Sequence, residues 1–593
     1  MSADMESQSD ENVSILDSDE EMDIDDELLG GSGEDSNESS DFSGENDEPS
    51  TSAATPRRRN RSRTTTTTNA SAGSSKSSGP QKKKFKGYDD RDVDAPSTKQ
   101  LRFQPSNPPG IQLEHVRTRS TASSMSKAID FFKLFLTVEL VQQLVDFTNA
   151  YATAHIVDRP TYADAGGGWK AVTMEEFYSL IGLLIYMGLA QFSDVDCYWS
   201  TKYPYHGSWA RAFIKSRDRF RAVMSFLHIV DHTAEDPNDP MRKVRYLLDH
   251  MKNACKKLYQ PSEHISIDER MVRSKARFQF RQYIRDKPTK WGFKLWVLAD
   301  SQTGYTWNFD VYIGKAAKRS EHGLSYDVVM DLCEELGKQG YKLFFDNFYT
   351  SPQLLRDLKK RGIWACGTVN KGRKGFPKEM KASTVQWGKQ AHRGNMRWER
   401  DGEIVIIQWK DNKAISLMSS FHAASEFGHC LRRVKEDGAF RRKIVKQPKV
   451  VQSYNQYMGG VDKSDQLLSK YDLLRKTNKY WKTLFFHFID IAVVNSYVLF
   501  CQWMQRYPGN IQRSSHFGQR QFREELSKQL GKIGDDDPVP LFASHKQKER
   551  DSESEDDCEH FPVSTKERRT YTEKKLFCNV VTMAQYICLY MAS

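Results

Sequence analysis

SYNQYMGGVDKSDQLL (Ser453–Leu468) places two aspartates, Asp462 and Asp465, three positions apart behind the glycine pair Gly459-Gly460. Residues three apart share one face of a helix. Two glycines make a poor helix interior but a good entry to a helix N-terminus. Both carboxylates are therefore expected to project the same way from a helix's first turns. Like charges so placed repel unless something positive lies between them, and a hard divalent cation, which prefers carboxylate oxygens, fills that role. A solvated acidic turn beside Lys463 and Lys470 would explain such a pair on its own. Two distant segments shift the reading toward a site. HISIDERM (His264–Met271) and YKLFFDNFYTS (Tyr341–Ser351) each put an aspartate at the end of a short apolar run. Lys342–Phe345 reads as a buried strand delivering Asp346 at its C-terminal end, and Ile265–Asp268 alternates as a strand with one buried face. A carboxylate at the end of a core strand is costly unless it is solvated or ligated. Asp268, Asp346 and Asp462 are thus expected to converge on two magnesium or manganese ions, with Asp465 beside them as a further ligand.

The chain around these segments has 593 residues and a net charge of +10, too long for one core. Its first fifty residues contain no Lys or Arg, so the remainder is more basic than the total suggests. A basic body of this size fits a polyanion, most simply nucleic acid. Nine cysteines are scattered without a CxxC pair, which suggests reduced thiols in an intracellular protein. Nothing reads as a secretory leader, and no apolar run reaches membrane-spanning length. Phe485–Phe500 comes nearest, but His487, Asp490 and Asn495 interrupt it, so it is expected to be a buried helix and no membrane partner is expected.

Residues 1–115 read as a disordered tail, acidic and then basic, whose hydrophobicity is too low to offset chain entropy. Ser18 and Ser36 lie in acidic settings that resemble kinase sites, and Arg57–Arg63 and Lys82–Lys86 are candidate nuclear-import or nucleic-acid patches. Helical spacing then dominates to residue 263: a helix after Thr137, one opened by a capping-box pattern at Thr173–Glu176, one from Arg217 and one over Leu247–Tyr259. From 264 strands and helices mix, which predicts a mixed α/β sheet with flanking helices. A basic-aromatic stretch follows the Asp268 strand. Its Arg273, Lys275, Arg277, Arg281, Arg285, Lys287 and Lys290 are candidate phosphate contacts, as are Arg475, Lys476, Asn478 and Trp481 further on. Residues 372–446 read as a β-rich insertion that is basic at both ends, with a hairpin signal at Asp401-Gly402.

Two divalent ions about 3.5–4 Å apart can hold a phosphodiester for in-line displacement with no nucleophilic side chain. The sequence shows no Ser/His/Asp or Cys/His arrangement and no Walker loop. Cys558, His560, Cys578 and Cys588 have the wrong spacing for a zinc knuckle, so no zinc site is expected. The ordered motifs Ser266–Glu269, Lys287–Lys294, Phe345–Ser351, Gly367–Val369, Tyr454–Asp462 with Asp465, and Arg475–Asn478 together resemble a piggyBac-family transposase or a host gene derived from one. The resemblance covers about 125 to 505. It implies an RNase H-like catalytic core (264–371 and 447–471) with the triad Asp268, Asp346 and Asp462. It implies a helical dimerisation and DNA-binding domain in two pieces (116–263 and 472–545). It also implies a nuclear homodimer that cuts transposon ends and joins them to TTAA targets in double-stranded DNA. The segment 546–593 departs from the family in lacking a Cys-rich zinc pattern. The alternative is therefore a domesticated nuclear DNA-binding or chromatin protein without catalysis.

Overall fold

The computed structural model describes residues 85–534, apart from positions 98, 101, 113–124, 203–204, 206–208, 286, 315–319, 437–438, 474 and 508–516. The acidic serines, the Arg57–Arg63 patch and the tail 546–593 lie outside the described residues.

Helical periodicity produces helices where it is expected. Helix α1 (Val138–His155) starts at Thr137, whose hydroxyl accepts the Leu140 amide at 3.3 Å. Helix α2 (Met174–Leu189) starts at Thr173 in the same way, but the Glu176 carboxylate is drawn off to Arg219 at 2.7 Å, so the reciprocal half of the capping box does not form. Helix α3 (Arg217–Phe226) is capped by Ser216, and α4 (Arg245–Leu258) leads into the sheet.

The sheet is built on β1 (His264–Arg273). Strand β2 (Trp291–Asp300) pairs antiparallel with it, and β3 (Thr306–Val311) continues on the outer edge of β2. After helix α5 (Leu324–Leu332), β4 (Lys342–Phe345) returns parallel to β1 on its other side. Helix α6 (Pro352–Lys360) then leads to β5 (Trp364–Thr368), parallel to β4. The order β3-β2-β1-β4-β5 makes β1 a central strand covered on both faces. Ile265, Ser266 and Ile267 are accordingly all fully buried, so the one-sided burial expected from their alternation is not what forms.

The expected insertion does not stand apart. After α7 (Lys378–Gln390), strands β6 (Met396–Asp401), β7 (Ile404–Lys410) and β8 (Ala414–Ser419) fold back, and β8 pairs with β5 through Leu417 and Thr368. The main sheet thereby reaches nine strands among the described residues, counting the short Gln282–Tyr283 strand beside β2. A separate antiparallel ribbon, β9 (Phe427–Glu436) and β10 (Ala439–Pro448), follows. Helices α8 (Lys449–Tyr457) and α9 (Gly460–Ser469) bring the chain back to β1.

Helix α10 (Tyr480–Arg506) is long and apolar enough to cross a membrane, but 83% of its most apolar window is buried in the fold, as a core helix requires. Asn495, one of the polar interruptions in that run, bonds both backbone groups of Thr306 (3.0 and 2.9 Å) and so fastens α10 to β3. Helix α11 (Gln519–Leu530) lies against α2, joining the two helical pieces.

The N-terminal expectation needs correction from residue 85 onward. Trp398 of the edge strand β6 donates its amide to the Lys86 carbonyl at 2.8 Å and its indole N–H to Gly87 at 2.8 Å. Asp92 receives Arg400 in a two-point pair at 2.7 and 2.6 Å. Further along, Gln104 bonds Gln339, and Gly110–Ile111 pairs with Tyr259–Gln260. This strap closes one end of the sheet, where an unpaired edge would otherwise be exposed. The six cysteines among the described residues are all free thiols.

Candidate active site

The parallel register of β1 and β4 ends at the pair Ile267 and Phe345. The next residues on the two strands are Asp268 and Asp346, so the two carboxylates leave adjacent strands at the same level. Asp346 follows the last residue of its strand. Asp268 does not end its own, because β1 continues to Arg273 along β2. Asp462 arrives in the first turn of α9. That helix sits close on the sheet because its first residue is glycine: a Cβ on Gly460 would stand 2.5 Å from Ser266 Oγ and 2.9 Å from Ser301 Cα. The β2–β3 turn supplies the second close approach. Gly304, at φ +76°, leaves room for the backbone of Ser464.

Asp268 and Asp346 are half-buried and Asp462 is exposed. Burial, reinforced by the charges of Asp346 and Asp462, pushes the Asp268 carboxyl up to about 6, against the Glu269 amide and Lys287. Asp346 is raised as well, first by burial and then by the Glu269 charge. Asp268 thus feels both other acids, and Lys287 offsets this only in part. The donor set, carboxylate oxygens without Cys or His, fits a hard divalent cation. Among the described residues no three His, Cys, Asp or Glu side chains already enclose a metal-sized point.

Asp465 does not join this group. Its Oδ1 accepts Arg270 Nε at 2.6 Å, and the Arg270 side chain is only 3% exposed. Arg270 Nη2 also donates to Ser464 Oγ at 2.8 Å and to Thr306 Oγ1 at 3.3 Å. One guanidinium therefore ties the strand of Asp268 to the helix of Asp462, and one oxygen of Asp465 is held in an ion pair. Sequence reasoning missed Arg270. Its only signal is its place two residues after Asp268, on the same side of the strand. Tyr349 was missed too. Its hydroxyl is buried without a hydrogen-bond partner among the described residues, and burial with the charges of Glu269, Asp268 and Asp346 pushes it well above its usual range. A cavity of about 600 Å³ opens beside Asp462, lined by Arg270, Arg273, Lys287 and His487 among others.

The basic candidates divide. Arg273, which ends β1, and Lys275 and Arg277 in the loop after it are exposed and alternate with buried Val272, Ser274 and Ala276. Arg285 and Lys290 are exposed as well. Arg281 stacks on Trp291 at 4.6 Å. Lys287 turns inward, donating to the Glu269 carbonyl at 3.1 Å, within electrostatic reach of Asp268 and Asp346. Lys476 and Asn478 are exposed, whereas Arg475 is half-buried and lies 5.9 Å from the Tyr198 ring. Trp481 is not a surface residue. It is 4% exposed and packs on His228, because it opens α10 facing the helical core.

Comparison with known proteins agrees with this architecture. A family model described as Transposase IS4 matches residues 127–497. The human PiggyBac transposable element-derived protein 3 is 28% identical over 382 residues, covering 63% of this chain and 61% of the relative. The human PiggyBac transposable element-derived protein 5 is 24% identical over 438 residues, covering 72% of this chain and 80% of the relative. The chain thus spans about three fifths of the first of these relatives (61%). Among solved structures, a piggyBac transposase synaptic complex with hairpin DNA matches with a TM-score of 0.59 at 24% identity, over 72% of this chain and 83% of that one. That likeness establishes a shared mixed α/β fold. With the family model spanning more than half of its length, the chain belongs to the IS4 transposases of piggyBac type.

Proposed function

We propose that this chain is a metal-dependent DNA strand-cleaving and strand-transferring enzyme with an RNase H-like core, acting as a nuclear homodimer on transposon ends and TTAA targets. The observation that carries the reading is that Asp268 and Asp346 leave adjacent strands at one level, with Asp462 in the first turn of α9 near enough to raise the Asp268 carboxyl. Carboxylates raised by burial and by one another cluster at functional sites. Two magnesium or manganese ions would supply activation of the attacking hydroxyl and stabilisation of the leaving oxygen. Asp268 and Asp346 would hold them from the sheet, and exposed Asp462 would close the set from α9. Arg270 and Asp465 fix the distance between β1 and α9. Lys287 presents an ammonium beside the acids, where a scissile phosphate would lie. The DNA target and the dimer rest on the family resemblance.

The test uses the full chain. Manganese should raise its melting temperature, by about 2.7 kcal/mol of stability at a hundredfold excess over the dissociation constant, and should nick supercoiled plasmid. Both effects should vanish in Asp268→Asn/Asp346→Asn. Wild-type protein that neither shifts nor nicks with either metal would overturn the enzyme reading. A second reading, DNA binding without catalysis, is favoured by one observation: Arg270 already occupies Asp465. It predicts DNA binding that is unchanged in the double variant and no nicking at any metal concentration.

A further inference from the structure

The β9–β10 ribbon is the most basic structured element outside the site. Residues 427–448 carry seven Lys and Arg against two acidic residues. Its register sets Arg433 directly opposite Arg442, and Leu431 directly opposite Ile444. Alternation puts these four residues on one face and Cys430 and Val445 on the other. The second face is the packed one: Val445 is buried in a core cluster and Cys430 lies against it. The first face is bare. Leu431 is 60% exposed, Ile444 69% and Phe440 61%, and Arg433 and Arg442 are exposed beside them.

Two features point to an absent polyanion. Like charges directly opposite on a ribbon are destabilising, yet Arg433 faces Arg442 and neither forms an ion pair among the described residues. On the other face the equivalent pair of cations, Arg432 and Lys443, is relieved in part by Asp411, 3.0 Å from Arg432. Arg433 also rests 4.4 Å over the Phe440 ring, which holds its guanidinium outward in advance of any ligand.

We propose that this face of the ribbon binds the backbone and groove of double-stranded DNA, with Arg433 and Arg442 on phosphates. A two-stranded ribbon fits the major groove, and exposed aliphatic side chains suit sugar and thymine-methyl surfaces there. The proposal rests on the nucleic-acid reading above and adds a surface well separated in sequence from the three acids.

Salt dependence tests it. The full chain is titrated onto a 30-base-pair duplex lacking TTAA (~30, a length chosen to exceed one contact site), in EDTA, at several potassium chloride concentrations. Each lost phosphate contact lowers the slope of log K against log salt by about 0.9. Arg433→Ala/Arg442→Ala should therefore lower the slope by about 1.8, while Arg433→Lys/Arg442→Lys keeps it. The melting temperature of the alanine variant should hold or rise, since a repulsion is removed. Should that variant not fold, Arg442→Gln alone should lower the slope by about 0.9. A wild-type slope in the alanine or glutamine variant overturns the proposal, as does an equal loss in the lysine variant. EDTA excludes cleavage, so an unchanged slope removes the ribbon and leaves the carboxylate reading standing. A lowered slope in a chain that never nicks DNA does the reverse.

Discussion

Asp92 and Asp268 are both withdrawn from water, and the chain treats their charges in opposite ways. Asp92, on the strap, is raised by burial, but hydrogen bonds from Arg400 and the Ala424 amide outweigh this and hold its carboxyl below the usual range. Asp268 receives the Glu269 amide at 2.8 Å but faces other acids, and burial pushes it up to about 6. The first charge is neutralised by the fold and serves to fasten it. The second has no arginine partner, and a charge left so marks a candidate functional site.

The largest effect is expected at the compensated site. Arg400→Ala leaves Asp92 buried and unpaired, and should cost about 3–5 kcal/mol in denaturant unfolding. Loss of less than ~1 kcal/mol would mean that the strap detaches freely. At the uncompensated site the sign reverses. Asp268→Asn, measured without divalent metal at pH 7, should stabilise the chain by up to about 3 kcal/mol. The pH dependence separates the two. Asp268 has a raised folded value, so the stability linked to its proton is present below the unfolded value of about 4 and lost as pH rises through about 6. The asparagine variant's advantage should therefore emerge between those limits. Asp92 is lowered, so its contribution is present above the unfolded value and lost only as pH falls through its depressed folded value.

Gly460→Ala probes the geometry that gathers the acids. Overpacking against Ser266 and Ser301 should cost about 1–3 kcal/mol and weaken the manganese-induced melting shift. An unchanged shift would mean that the close seat of α9 is not needed. The smallest effect is expected at the Arg356–Asp401 pair. Its 2.6 Å separation equals that of Arg400 and Asp92, but Asp401 is 65% exposed. Arg356→Ala should change stability by about 0–1 kcal/mol. A larger loss would show that distance, not burial, governs the comparison.

Local pattern carried the middle of the fold well. The expected strand at Lys342–Phe345, the helix after Ser351 and the hairpin at Asp401-Gly402 all form with nearly the expected limits. The placement of Asp268 and Asp346 at one level of adjacent strands was legible because each follows an apolar run, and that of Asp462 in a first helical turn because it follows the Gly459-Gly460 pair. What escaped was set by long-range pairing. That β8 would extend the main sheet through β5 depends on residues about fifty apart, which periodicity does not encode. The strap was hidden because its polar composition resembles a tail, while its order comes from single contacts such as Asp92 with Arg400. The spacing of Asp462 and Asp465 suggested a shared face, and α9 supplies it. The buried guanidinium on β1 that engages the second acid had no such local signal.

The late arrival of α9 has a consequence during synthesis. Position 462 lies 194 residues after position 268. At about 5–20 residues per second, the ribosome needs roughly 10–40 s to make that span. Over the last 116 residues of that span, from Asp346 onward, the nascent chain carries both sheet acids without their helical third. On the proposed function, the growing polypeptide would therefore lack its full acid set until α9 has been made.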